Sequence, residues 1–429
     1  MGQKPGELEP TRSALHYFGA EVRRLRTARG LSQAELGRLL YQHRDLVRKI
    51  ETAQRLPSEE FVGRCDDALD ARGALRRMWP MLVRERRLRR GGDPAGSGYH
   101  SEASDRPVLD WLLAPDTSRR GRADTEASLS ARQTLRSLRE LDHACGAGAA
   151  YTAVAGVLED GLDEVVAASP EVATGLLELA GYEAVDLGAD GVAQRHYLRA
   201  LEVVGATGDR LYGGYIVGVS LAHLALHCGD AEQAIRLATA ALQGTERHAG
   251  PGTRAAFRTV LARAHARRGD ERACMASLQE VDADLSRRSA GEEPGWIGYF
   301  GEADLADEKA HCFFDLGRFD LAQQEASRAL RLLEPMRVRR RAIDAALLAS
   351  CLARMGDLEQ ACAAGHVAVR QARATASFRA KHRVALMMAE LHRHGHLPEV
   401  KELAELVRAT LPTSTAAGQG AATRPSTAR

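Results

Sequence analysis

The chain has 429 residues, 45% of them hydrophobic, 27% charged and only 5% aromatic. That length calls for at least two domains, and the balance is that of soluble globular material rather than of a disordered or fibrous chain. With 59 Lys and Arg against 57 Asp and Glu, the bulk charge selects no partner. Scarce aromatics favour helix over strand.

In chain order, residues 1–12 read as a loose tail. Ser13 to Arg29 is a first helix burying Leu15, Phe18, Val22 and Leu25. Ser32 and Glu35 then stand three apart ahead of an apolar helical pattern, which is a capping box. Leu36, Leu39 and Leu40 line the short helix that follows. Another helix opens near His43 and buries Leu46, Val47 and Ile50, while Arg44, Arg48 and Lys49 face outward. Two short helices across a tight turn, the second one cationic, have the layout of a helix-turn-helix. Ser58 caps a fourth helix with Phe61, Cys65 and Leu69 inward. Gly73 to Arg90 reads as a fifth, amphipathic helix with Leu75, Met78, Trp79 and Leu82; its basic end, Arg84 to Arg90, reads as a solvated helix end, the other reading being extra phosphate contact.

Val22 to Leu69 resembles the phage-repressor or Xre-type helix-turn-helix family, on Leu25-Arg26, Arg29-Gly30-Leu31-Ser32-Gln33, Ile50-Glu51 and Pro57-Ser58. The resemblance implies a five-helix DNA-binding domain over residues 1–90. It implies that Gln33 touches a phosphate, that His43, Arg44, Asp45 and Lys49 read bases, and that Arg55 meets the backbone. Arg48 joins them on physical grounds, and Asp45 would suit the amino group of cytosine or orient a neighbouring Arg. It also implies a structural pair, Arg26 with Glu51. Two positions depart from the family: the turn carries Tyr41, and the recognition helix ends in Glu51-Thr52-Ala53, where the family favours Gly in both places. Charge agrees with a phosphate-binding head: residues 1–90 carry 20 basic and 12 acidic residues, a net +8, and the remainder carries 39 against 45, a net −6.

Gly91 to Pro107 is a linker by composition, and the linker as a whole spans 91–125. Within it Val108 to Leu113, with Trp111, is an apolar patch suited to anchoring the linker on the body. Residues 126–411 are helical and repetitive. Gly188, Gly229, Gly269, Gly317, Gly356 and Gly395 recur at intervals of about 40 residues between helical patterns. Small residues keep fixed offsets: Ala193, Ala234, Cys274, Ala322 and Ala361 five after, Ala200, Ala241, Val281, Ala329 and Ala368 twelve after, and Gly181, Ala222, Ala262, Ala310 and Ala349 seven before. Such positions let paired helices cross closely. The register resembles the tetratricopeptide repeat, with longer spacing and aliphatics in place of its aromatics, and implies a solenoid with a concave face. A degenerate opening repeat is expected near Leu135 to Leu158. Residues 412–429 read as a low-complexity, disordered tail.

The expected fold class is all-α, a five-helix head plus a tetratricopeptide-like solenoid. The resemblance is to bacterial regulators that join such a head to repeats, among them peptide-sensing and actinobacterial developmental or antibiotic regulators. It implies double-stranded DNA and a second copy as partners, and a peptide, small-molecule or protein effector in the repeat groove. Trp296, Tyr299 and Glu302 are the candidates for touching that effector, the alternative being aromatics packed between repeats. The 7 Cys are scattered without a Cys-x-x-Cys pair, which fits reduced thiols in a cytoplasm. The opening residues have no apolar run and no stretch approaches the roughly eighteen apolar residues of a membrane span. No nucleotide, zinc-protease or serine-hydrolase motif occurs, and His392-Arg393-His394-Gly395-His396 reads as a solvated turn. No catalysis, cofactor or metal is therefore expected. The competing reading is a repeat-based scaffold or antitoxin-like adaptor with weak DNA binding.

Overall fold

The computed structural model describes residues 14–71, 73–79, 82, 98–114, 125–289 and 293–411. They fall into two units, a head up to residue 82 and a body from residue 98. No strand occurs among them. The tails at 1–13 and 412–429 and the basic run at 84–90 lie outside the described residues.

In the head, α1 (Ala14–Ala28), α2 (Gln33–Leu39), α3 (Arg44–Glu51), α4 (Glu59–Ala68) and the short α5 (Ala74–Arg77) follow one another. Polar side chains fix where three of them start. The Ser32 hydroxyl accepts from the Glu35 amide while the Glu35 carboxylate accepts from the Ser32 amide, closing the capping box. Ser58 caps α4 through the Phe61 amide. The buried Asp66 carboxylate accepts from the amides of Gly73, Leu75 and Arg76 at 2.7–3.0 Å, which anchors α5. Leu15, Phe18, Val22, Leu36, Leu40, Val47, Ile50 and Leu75 are wholly buried in one core.

The body begins earlier than composition suggested. Residues 98–114, read as linker, are ordered on it: a 3-10 turn, Ser101–Ser104, leads into α6, Asp105–Leu113. Gln194 exchanges two hydrogen bonds with the backbone of His100 (3.0 and 2.7 Å). Gln233 donates to the Ser101 carbonyl and to Asp105, each at 3.1 Å. Trp111 is 4% exposed. It fills a notch that exists because Gly213 and Gly244 lack side chains; a Cβ on either would stand 2.2 or 2.4 Å from the indole. Arg210 ends the segment by donating to the carbonyls of Trp111, Leu112 and Ala114 at 2.7–2.9 Å, satisfying acceptors that a helix C-terminus leaves open.

Residues 126–411 form a solenoid of helical hairpins. The first pairs Glu126–Cys145 with Ala147–Ala168, and the second pairs Pro170–Asp186 with Asp190–Thr207. The third pairs Arg210–Tyr215 and Ala222–His227, joined through a π-helical Ile216–Leu221, with Ala231–Gly244. The fourth to seventh are Pro251–Arg267 with Glu271–Leu285, Glu302–Asp315 with Phe319–Leu332, Val338–Met355 with Leu358–Arg373, and Phe378–Leu391 with Pro398–Thr410. The alanines at the repeating small positions are all 0% exposed, as are Cys274 and Val281, so helices cross there with no room for a larger group. Five of the six recurrent glycines have φ between 74° and 87° and stand just past a helix end. In the second hairpin Gly188 donates to Val185 and Ala189 to Ala184, the paired bonds of a Schellman ending. Gly395 differs: its φ is −63°. There the chain leaves through a 3-10 turn and an extended Leu397, and Pro398 opens the next helix.

The solenoid curves tightly enough for its first and sixth hairpins to meet. Arg339 binds Asp142 through both guanidinium Nη atoms (2.7 and 2.8 Å) and Asp186 at 3.1 Å. Arg379 binds Asp186 at 3.0 Å, and both guanidiniums lie over the Tyr182 ring at 4.8 and 4.6 Å. Side chains reach across the concave face. Tyr215 donates to the Tyr299 hydroxyl (3.1 Å), and Arg383 to His311 (2.8 Å).

Candidate nucleic-acid interface

The scaffold of the candidate interface is one buried carboxylate. Glu51 closes α3 and is 0% exposed. Arg26 on α1 donates to it twice, at 2.6 and 3.1 Å, and Gln33 at the start of α2 donates from Nε2 at 2.7 Å. Arg26 also donates to the carbonyl of Leu31, and Arg23 to the backbone carbonyl of Glu51 at 3.1 Å. Three helices are thus fixed on one acceptor whose burial is offset by charged and neutral donors. Gln33, expected at a phosphate, is half-buried, and its amide nitrogen is committed to this scaffold.

His43, Arg44, Asp45 and Arg48 are exposed on α3, with Lys49 beside them partly covered. His43 is the N-cap, its Nδ1 accepting from the Asp45 amide at 3.2 Å. Asp45 faces Arg48 at 3.1 Å and Lys49 at 3.6 Å. Its hydrogen bond with Arg48 holds its carboxyl below the ordinary range. Arg44 makes no ion pair or side-chain hydrogen bond among the described residues, which leaves its full donor fork available. Arg55 is exposed beyond the helix.

The two departures from glycine turn out to sit where glycine is preferred. Tyr41 has φ 54° and Ala53 φ 56°. Gln42 donates to Gly37 and Tyr41 to Arg38, and Gln54 to Lys49 and Ala53 to Ile50, so both helices end in Schellman motifs on a non-glycine residue. Arg64, which the sequence gave no reason to single out, supports the first of them. Its Nη1 donates to the Leu40 carbonyl at 3.2 Å, and its guanidinium carbon stands 5.8 Å from the Tyr41 ring centre. The 24-residue separation hid this contact. Tyr41 itself is 86% exposed in the turn before α3.

Residues 18–79 match the family model described as a helix-turn-helix domain. The head is a helix-turn-helix domain. Joined to it is a helical solenoid. Among solved structures, the chain is similar to Bacillus thuringiensis PlcR in complex with the peptide PapR7 and DNA, at 13% identity over 91% of this chain and 98% of that one, with a TM-score of 0.27. No curated protein matches the chain. In this helix-turn-helix domain α3 is the helix that follows the turn after α2, and its outward residues are those just described.

Of the residues considered for an effector, Trp296 and Tyr299 meet at Tyr215 while Glu302 stands apart. Trp296 stacks on Tyr212, with centroids 5.0 Å apart and planes 9° from parallel, and leans on Tyr215, also at 5.0 Å. Tyr299 joins the same cluster through Tyr215. Glu302 is exposed and pairs instead with Arg328 at 3.1 Å. The two aromatics therefore bridge hairpins. Residues 392–396 form a mostly exposed turn. Among the described residues no cluster has the composition of a metal site, and no helix is long and apolar enough to cross a membrane.

Proposed function

We propose that this chain is a sequence-specific, DNA-binding transcriptional regulator of the cytoplasm that acts as a homodimer. Its solenoid makes the dimer contact and senses a peptide, a small molecule or a protein partner. The observation carrying this reading is the face of α3. Arg44 is exposed and without an acidic partner, on a helix held to α1 and α2 by the buried Glu51. Such a guanidinium is suited to bidentate contact with guanine in the major groove. Arg48 and Lys49, tied to Asp45, would position and modulate that contact, and Arg55 would neutralise phosphate.

The test is footprinting and gel shift on the protein's own upstream DNA across a salt series. A protected site that outlasts competitor DNA supports the proposal. Weak, sequence-blind binding that vanishes steeply with salt would favour the scaffold or adaptor reading instead.

A further inference from the structure

Charged side chains crowd the inner face of the solenoid, and three guanidiniums there each hold a carboxylate. Arg263 holds Glu308 at 2.8 Å, Arg267 holds Asp315 at 3.5 Å, and Arg340 holds Asp307 at 2.9 Å. Arg383, on the first helix of the seventh hairpin, lies among them and pairs with no carboxylate among the described residues. Its Nη2 donates to Nδ1 of His311 at 2.8 Å, and its Nε is buried with no partner. One side of it lies against Phe314, 5.8 Å from the ring centre.

His311 cannot supply the missing charge. Burial, and then the guanidiniums of Arg263, Arg383, Arg340 and Arg267, hold it well below the ordinary histidine range. It is neutral, accepts from Arg383 at Nδ1, and keeps its proton on Nε2, 3.5 Å from Asp307. Burial and then Arg263 pull Arg383 down to about 10, with Arg267 adding to this and Asp315 and Asp307 opposing it. It is still a cation at neutral pH, and a desolvated cation without a counter-charge is costly. Water reaches the rim of this place, because the Arg267 side chain is 48% exposed and that of His223 35%.

We propose that Arg383, flanked by Arg263 and Arg267, seats a small oxyanion, a carboxylate or a phosphate, on the inner face of the solenoid. The planar fork of a guanidinium matches two oxygens of either group. No internal carboxylate has to be displaced from Arg383. The proposal rests on the solenoid being the sensing half only for its biological meaning, since binding can be read without DNA.

The full chain is titrated with inorganic phosphate and, separately, with succinate, by calorimetry and thermal shift at constant ionic strength in chloride. We expect saturable binding of one oxyanion per chain. Arg383→Gln should weaken it by roughly tenfold or more, Arg267→Gln by a few-fold, and Arg408→Gln, on the last helix, not at all. Tighter phosphate points to a phosphorylated ligand, and tighter succinate to a carboxylate. No saturable binding of either, or equal binding by Arg383→Gln, overturns the site. If that variant does not fold, undiminished binding by Arg267→Gln overturns it. An oxyanion that binds as expected yet leaves DNA affinity unchanged overturns the sensing proposal and leaves the site standing.

Discussion

Arg339 and Asp142 stand 197 positions apart in the chain and 2.7 Å apart in the fold. Both are almost fully buried, at 9% and 2% exposure. A contact of that span fixes the curvature of the solenoid, because it ties the first hairpin to the sixth. Buried ion pairs are weak evidence for stability, since desolvating the charges offsets most of their attraction. Their better-attested use is in selecting one arrangement over others. Asp142, Asp186, Arg339 and Arg379 thus define how far the solenoid closes, with both guanidiniums against the Tyr182 ring.

Glu183 lies beside this clasp, is 0% exposed, and neither carboxyl oxygen has a hydrogen-bond partner among the described residues. Burial, and next the charge of Asp142, push its carboxyl up to about 9. The folded-state pKa is raised, so between pH 5 and 8 the folded chain keeps a proton that the unfolded chain releases. Stability should fall as pH rises through that window, by up to about 1.4 kcal/mol per pH unit from this group. Glu183→Gln should be more stable than the parent at pH 8 and should flatten the slope. Urea midpoints from pH 5 to 8 check this; an unchanged slope would mean that Glu183 is ionised in the fold.

Arg44 and Arg55 should fail differently. On the proposed reading Arg44→Ala removes a base contact and should cost about 1–3 kcal/mol at one base pair, relaxing preference there. Arg55→Ala should weaken all sequences alike and lower the salt slope by about one ion. Competition binding on a library of single-base operator variants separates the two. Equal loss of specific and non-specific binding in both mutants would refute the division of roles.

Glu51→Ala removes the acceptor shared by Arg26 and Gln33. It leaves a guanidinium and an amide without their partner and should destabilise the helix-turn-helix domain by about 3–5 kcal/mol. The bases preferred by whatever fraction remains folded should not change. Normal melting with altered preference would make Glu51 a reader rather than a brace.

Ala53 adopts a left-handed conformation that costs an L-residue about 1 kcal/mol or more. Ala53→Gly should therefore stabilise the domain by about 1 kcal/mol, less the extra entropy of glycine in the unfolded chain. Chemical denaturation of the isolated head measures it. Tyr41→Gly is not equivalent, because it also removes the ring beneath Arg64.

How far the sequence could be read follows the range of the interactions. The capping box, the turn glycines and the small positions are local, and they located the α2 start and the hairpin crossings. The same hairpins carry a second local signal that glycine spacing alone passes over. In Gly229-Asp230, Gly269-Asp270 and Gly356-Asp357 the glycine ends one helix and the aspartate caps the next. What stayed hidden was long-range. The Arg339 clasp, the Arg64 brace and the docking of Trp111 between Gly213 and Gly244 join residues whose neighbours give no sign of them. Composition marked 91–125 as linker because its flanks are rich in Gly, Pro and Ser, although Gln194, Gln233 and Arg210 bind the backbone of its middle part.

That docked segment bears on how the proposed dimer is tested. A single recognition helix covers few base pairs, and regulators of this type gain affinity by placing two heads on half-sites about 34 Å apart. Stacked hairpins expose an apolar edge at each end of a solenoid, which a second copy can cover. We therefore expect the body to hold the dimer contact. A body fragment should begin near residue 98, because starting at 126 would remove Trp111 and the partners of Gln194, Gln233 and Arg210, opening a cavity and leaving buried donors unmet. Sedimentation velocity of residues 98–429 and of residues 1–97 should give a dimer for the first and a monomer for the second. A monomeric body beside a dimeric head would move the contact to the helix-turn-helix domain.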